Sequence, residues 1–352
     1  MFFVGIDYHR CYSFASGISS DGGTRKECLI EGNSPEAFGS YFESLGQPAR
    51  VVIEAGRGWD RLYEILSGID EVEEVVLAHP YSTRLIAAAQ IKTDKLDARV
   101  LARLLRAGFI ARAHIPSRWA RDLKDLMRQR TFWVREQTRV KNRVHILLDR
   151  QVNLERPHVT DLFGLVGMKF LEGLELAEPQ RLLLKQDLQM LGELKAAIHR
   201  LDRRVYARSR DDGMIKSLES VPGIGKVLAN VIAAEIDDIS RFNSAGKLSA
   251  YSGLVPRTVA SGGKVYHGRL LTHCNKWLKW AFIEAAWASL HTSPYFSSLY
   301  RRHRTRGKAS NKAIVIVARR LSKVVWHVLK EGREYHERYS IMKSSPVALV
   351  QD

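Results

Sequence analysis

The sequence predicts an α/β unit at its front and a mainly all-α body behind it. Three observations carry that expectation. Short apolar runs bounded by Gly, Asp and Pro fill residues 1–80, whereas apolar residues recur at helical spacing over most of the remainder. Two stretches, 117–150 and 178–209, run long with few helix breakers. The charge also divides: formal net charge is +17, yet residues 1–91 hold 7 Lys and Arg against 13 Asp and Glu, leaving 48 against 25 for the rest. An acidic front joined to so basic a body implies a polyanionic partner, and nucleic acid is the usual one.

Taken in order, Phe2 to Ile6 is an apolar strand ending in Asp7. Tyr12–Ser19 and Arg25–Glu31 are two further strands, separated by the turn Ser20-Asp21-Gly22-Gly23. Ser34 is placed to cap a helix through Leu45, with Pro35 at its first position. Val51–Ile53 is a buried strand ending on Glu54, Trp59–Leu66 a helix, and Val75–Ala78 a strand before His79-Pro80. Lys92–Leu105 then reads as a helix with an apolar stripe of Leu96, Val100, Leu101, Leu104 and Leu105. The order β-β-β-α-β-α-β-α is that of an RNase H-like fold.

Four acids fall at suggestive places. Asp7 and Glu54 end strands, where open α/β sheets place ligands. Asp94 and Asp97 lie three apart at a helix start, on one face, in a geometry that suits a divalent cation. Set among Lys92, Lys95 and Arg99, these two acids also suit a solvated face with ordinary ion pairs. Taken jointly, the four acids point to a shared metal site, and two metals there could clamp a phosphoryl group.

The two long stretches predict a helical, partly coiled-coil arm. In the second, Leu184, Leu188, Leu191, Ile198, Leu201 and Val205 keep heptad-like spacing, with Leu194 and Lys195 competing for one position. Such an arm either folds back on itself or joins copies of the chain. Its Arg135, Arg139, Lys141 and Arg143 could face phosphates or simply water. Beyond Asp211, Leu218–Ala229 (LESVPGIGKVLA) resembles a helix-hairpin-helix, in which Gly223, Gly225 and Lys226 would bring backbone amides to a phosphate; a plain tight turn is the alternative. Tyr251–Gly268 reads as a loop on the strength of Pro256, Gly262 and Gly263, with Ser261 before the paired glycines. From composition alone that Ser-Gly-Gly is a turn. Leu270–Leu290 reads as a helix whose Trp277, Trp280 and Trp287 are mostly core, and residues 301–323 as a basic, phosphate-contacting surface. The organisation expected is 1–115 α/β, 116–210 arm, 211–340 second globular unit and 341–352 tail. Cys11, Cys28 and Cys274 are scattered, as reduced thiols of a cytoplasmic protein would be. No apolar run is long enough to cross a membrane, and MFFVGIDYHR is not a signal peptide.

These pieces together resemble the insertion-sequence one-ten (IS-one-ten) family of transposases, the Piv-like DEDD recombinases. The front matches in GID at Gly5–Asp7, IEAG at Ile53–Gly56 and KTDKLDA at Lys92–Ala98. The back matches in VPGIGKVLA at Val221–Ala229, GLVPR at Gly253–Arg257, SGGK at Ser261–Lys264 and HGRL at His267–Leu270. The chain departs from the family's usual pattern at Cys274-Asn275, Lys279 and Trp59. The resemblance implies a RuvC-like first domain whose Asp7, Glu54, Asp94 and Asp97 bind magnesium, with manganese a possible substitute. It implies a transposase domain whose Ser261 is the nucleophile toward DNA. It further implies target and donor duplexes as substrates, a structured bridge RNA pairing with both, a dimer or tetramer, and a bacterial cytoplasmic, nucleoid-associated setting. Arg257, Lys264, Arg269, Lys276, Arg301, Arg302, Arg304 and Lys308 join Gly223, Gly225 and Lys226 as expected nucleic-acid contacts. Two rivals stand beside this: a RuvC-like endonuclease using water, with Ser261 only a turn, and an architectural nucleic-acid binder. Ser252 is the alternative nucleophile.

Overall fold

A computed structural model describes residues 1–86, 93–152 and 154–337, so the expected tail and Lys92 lie outside the described residues. The chain forms two compact units, Met1–Ile115 and Pro116–Asp352, and mixes one five-stranded sheet with many helices.

In the first unit the elements follow the sequence closely. They are β1 (Phe2–Tyr8), β2 (Tyr12–Ser19), β3 (Arg25–Glu31), α1 (Pro35–Leu45), β4 (Ala49–Glu54), α2 (Trp59–Ser67), β5 (Val72–Ala78), α3 (Pro80–Ile86) and α4 (Asp94–Arg106). Ser34 caps α1 by accepting from the Ala37 amide at 3.2 Å, and Thr93 caps α4 by accepting from Leu96, also at 3.2 Å. The sheet order is β3-β2-β1-β4-β5. β1 runs parallel to β4, and β4 to β5; β2 lies antiparallel to both β1 and β3.

Strand alternation assigns the two faces. Phe2, Val4 and Ile6 of β1, with Val51 and Ile53 of β4, are buried with Phe38 and Phe42 of α1 and Leu62 and Leu66 of α2. The residues between them look the other way, where Val52 of β4 packs with Leu101 and Leu105 of α4. The α4 helix lies directly on β1 because Gly5 has no side chain. A Cβ there would overlap the Ala98 carbonyl oxygen and sit 2.6 Å from the Ala102 nitrogen. Ala98 and Ala102 are small and buried, so backbone meets backbone. A second tie crosses to β3: Glu27 accepts from Arg99 at 2.5 and 2.9 Å and pairs with Lys95 at 3.2 Å.

The second unit contains α5 (Arg118–Asp149), α6 (Leu165–Glu172), α7 (Gln180–Ser209), α8 (Gly213–Glu219), α9 (Lys226–Ile236), α10 (Ala245–Tyr251), β6 (Pro256–Ser261), β7 (Lys264–Leu270), α11 (Lys276–Thr292), α12 (Pro294–Thr305) and α13 (Ser310–Glu331). The pairs Asp122–Arg208, Arg130–Asp202 and Arg143–Asp187 show α5 and α7 running antiparallel, so the arm folds back within one chain. Leu184, Leu191, Leu194, Ile198 and Val205 are buried, and the contested seam position falls to Leu194, leaving Lys195 in solvent. The stretch expected as a loop over 251–268 is instead mostly a β-hairpin. Its register pairs Ser261 with Lys264 and Val259 with Tyr266. Gly262 and Gly263, with φ of 58° and 74°, make the two-residue turn that such a ribbon needs. The glycines mark the turn, but the described residues flanking it are exposed on both strands, so no apolar alternation signals the ribbon. For the same reason the helix expected from Leu270 starts only at Lys276, after β7 ends and Asn275 caps it by accepting from Trp277 and Leu278 at 3.0 Å. Trp287 is 40% exposed rather than core.

Gly5→Ala is expected to lower the opening free energy of β1 and α4 by about 2–3 kcal/mol, the cost of overpacking a backbone contact, as read by amide hydrogen exchange on the full chain. Arg99 and Lys95 hold the Glu27 carboxyl down to about 2, below its ordinary 4.5. Its stabilising contribution is therefore complete above the ordinary value and lost as pH falls toward the lowered one. In acid melts of wild type and Glu27→Gln, that pH-dependent loss is expected to be smaller in the variant.

Candidate metal centre and nucleic-acid surface

Alternation puts Asp7 on the α4 face of β1, and it puts Glu54, beside Val52, on the same face of β4. The last parallel register pair is Ile6 with Ile53, so Asp7 and Glu54 are the next residues on adjoining strands. Above them begins α4, whose first turn carries Asp94 and Asp97. The Gly5 contact thus determines where these acids arrive.

Side-chain atoms of Asp7, His9 and Asp94 lie within 4.8 Å of one another, a grouping able to hold a cation. His9 Nε2 stands 3.3 Å from Asp7 Oδ2 and 3.3 Å from Asp94 Oδ1. Tyr12 donates its hydroxyl to Asp94 Oδ2 at 2.9 Å and stacks on the His9 ring with centroids 4.9 Å apart. Burial raises the Asp7 carboxyl above its ordinary range, partly offset by His9, while the charges of Asp94 and Asp97 raise it further. The Asp94 carboxyl moves the other way, lowered chiefly by the Tyr12 hydrogen bond and then by His9. Concentrated negative charge beside a half-buried carboxylate is what a divalent cation relieves, and the donor set of carboxylate oxygens and an imidazole fits one. Lys95 and Arg99, which could have neutralised the α4 acids, are engaged by Glu27.

His9 and Tyr12 were not singled out in the sequence. The available signal was His9 two residues beyond Asp7, the same face of an extended chain. Nothing local announces Tyr12, which reaches Asp94 from 82 residues away.

In the second unit, Ser261 is exposed at the hairpin tip, next to the glycine turn and opposite Lys264. Ser252, the alternative nucleophile, is fully buried and donates to the Leu248 carbonyl at 2.8 Å. Gly223 has φ +84° and is pressed against the backbone of α11, where a Cβ would come within 2.6 Å of the Ser289 nitrogen. That is a packing role. Gly225, the exposed N-terminal cap of α9, has open space around it, and Lys226 beside it is exposed. Arg257, Lys264, Arg269, Lys276, Arg301, Arg302, Arg304 and Lys308 are all exposed. At the end of α12 the His303 imidazole has its pKa lowered first by burial and then by Arg302 and, just past the helix, Lys308 and Arg306.

A DEDD transposase profile of the IS110 type matches residues 4–152, and the profile described as transposase IS116/IS110/IS902 family matches residues 215–301. The chain belongs to the IS110 family of transposases. Among relatives, a "probable family 20 transposase" of Pseudomonas aeruginosa is 26% identical over 272 residues, covering 72% of this chain and 79% of the relative. The insertion element IS110 protein of Streptomyces coelicolor is 32% identical over 121 residues, 34% of this chain but only 30% of that protein. The pilin gene-inverting protein of Moraxella bovis is 30% identical over 123 residues, 34% of this chain and 38% of the relative. Among the described residues no helix of this IS110-family chain is long and apolar enough to cross a membrane.

Two effects of opposite sign are expected from Asp7→Asn. A carboxyl raised on folding contributes stability below its ordinary range that is lost as pH rises through the raised value. The amide variant should therefore melt higher than wild type at neutral pH without added metal. With a divalent ion at 100 times its dissociation constant, wild type should gain about 2.7 kcal/mol and Asp7→Asn almost none, read as shifts in calorimetric melts.

Proposed function

We propose that this IS110-family chain is a DNA transposase that cuts and rejoins strands through Ser261, assisted by magnesium held by Asp7, Glu54, Asp94 and Asp97. The observation that carries the reading is the meeting of Asp7 and Asp94 at the carboxyl end of β1, with the charge of Asp97 acting on Asp7. The sheet order β3-β2-β1-β4-β5, with β2 antiparallel inside it, supports an RNase H or RuvC-like first unit. When bound, the metal would supply charge stabilisation for a phosphate in displacement and make a nearby hydroxyl more acidic.

The chain's own residues would do the following. Asp7 and Asp94 hold the cation, with Tyr12 fixing the orientation of Asp94. Ser261, carried on a ribbon whose tip is open to solvent, presents its hydroxyl to the scissile phosphate. Its oxygen forms the new bond to phosphorus as the bond to the 3′ oxygen breaks. The serine proton passes to solvent or a nearby base, and the leaving oxygen takes one up to become a free 3′ hydroxyl. A second strand's 3′ hydroxyl then displaces serine, so the phosphodiester energy is conserved. This requires a second-unit serine to meet first-unit acids, in one chain or between copies in a dimer or tetramer.

Lys226, Arg257, Lys264, Arg269, Lys276, Arg301, Arg302, Arg304 and Lys308 would contact nucleic-acid backbone, with helix α9 of the hairpin motif offering its amides at Gly225. Sequence choice would then belong to a bridge RNA pairing with target and donor DNA. Three measurements test the reading. Wild type should form a covalent protein–DNA adduct that Ser261→Ala does not, while Asp97→Ala loses cleavage. Full strand cleavage by Ser261→Ala would assign the attack to water. Sequencing RNA that copurifies with the protein tests the guide.

A further inference from the structure

We infer that His9 is a nitrogen ligand of the cation site and that it makes the site favour manganese-like ions over magnesium. The inference rests on the cation-site reading above and deepens it.

The position of His9 is built rather than incidental. Its amide donates to the Tyr12 carbonyl at 3.0 Å, and its own carbonyl accepts from Asn33 Nδ2 at 2.7 Å. Asn33 is itself buried, with φ of 50°, and its side-chain oxygen accepts from Ser13 at 2.7 Å. The backbone that aims the imidazole is therefore tied on one side to Tyr12 of β2 and on the other, through Asn33, to Ser13 of the same strand. The ring is then fixed by its stack on Tyr12, whose hydroxyl holds Oδ2 of Asp94 and leaves Oδ1 toward His9. Outer contacts that orient first ligands in this way are the usual accompaniment of a metal-binding histidine.

At the centre of this arrangement Nε2 is shielded from solvent although the ring is partly exposed, and it makes no aligned hydrogen bond. Carrying a proton, Nε2 would pair with the carboxylates of Asp7 and Asp94; without it, the lone pair faces two sets of oxygen lone pairs and is of use only toward a cation between them. The spacing suits such a cation. Ligands about 2.1 Å from an ion and at right angles stand roughly 3 Å apart. His9 Nε2 lies 3.3 Å from one oxygen of Asp7 and 3.3 Å from one of Asp94, close to two edges of such a polyhedron. Small movements would bring all three atoms onto one ion.

Ligand chemistry gives the preference. Magnesium takes oxygen and sheds water reluctantly, whereas manganese and its heavier neighbours accept imidazole. A site of carboxylates alone would not discriminate on this basis; adding His9 does.

The test uses the full chain loaded with manganese. Pulsed electron paramagnetic resonance should show coupling to a histidine nitrogen, altered on nitrogen-15 histidine labelling and absent in His9→Phe, which keeps a ring to stack on Tyr12. By titration calorimetry, His9→Phe should weaken manganese roughly tenfold and magnesium less than about twofold. His9→Asn, which needs no aromatic fit, should lose the coupling as well. Manganese binding that disappears in Asp94→Asn yet shows no nitrogen coupling in wild type overturns the role of His9 and leaves the acid site standing. So does an equal loss of both metals in His9→Phe. Manganese binding unchanged in Asp7→Asn and Asp94→Asn removes the acid site, and this inference with it.

Discussion

The contact of the α4 backbone with Gly5 is what the candidate centre depends on. A helix packed on a sheet through ordinary side chains stands about 10 Å from it. Here Gly5, Ala98 and Ala102 remove the side chains between, so the first turn of α4 descends to the level of the strand ends. Asp94 can then share an imidazole with Asp7, and Asp97 is near enough to raise the Asp7 carboxyl. The Glu27 pairs with Lys95 and Arg99 oppose sliding along that contact, and they also keep two cations from quenching the acids.

Much of the first unit was legible because its signals are local. Ser34 followed by Pro35, the double-glycine turn and the strand-length apolar runs each specify conformation within a few residues, and the elements formed where they indicated. Strand alternation could also have placed Asp7 and Glu54 on one face, since Ile6 and Ile53 must face the core. Partner choice was not legible in the same way. Glu27 and Arg99 are 72 residues apart, Tyr12 and Asp94 82, and no pattern in either segment names the other. The expectation that Lys95 and Arg99 pair with the acids on their own helix met this difficulty: a bidentate carboxylate on β3 outweighs proximity in sequence.

In the second unit the missed element was the hairpin. Val259, Val265 and Tyr266 carry strand-forming side chains, but Pro256 and four glycines between Gly253 and Gly268 dominate the composition. The ribbon projects exposed Val265 and Tyr266, so no buried face advertised its period. Gly223 teaches a related lesson. Its residue type suited a phosphate-binding turn and a close helix contact equally, and the described structure uses it for the latter.

One buried carboxylate bears on how the basic body should respond to its surroundings. Glu235 holds Lys124 at 3.6 Å, Arg128 at 3.2 Å and the Asn275 amide at 2.8 Å. Along the α5–α7 pair, Arg130, Arg143 and Arg208 are likewise matched to acids. A cation already matched to a carboxylate displaces few condensed ions from a polyelectrolyte, because its charge is partly spent before the two meet. The ionic-strength sensitivity of the proposed association with nucleic acid should accordingly follow the unmatched surface cations, and be shallower than a net charge of +17 would imply.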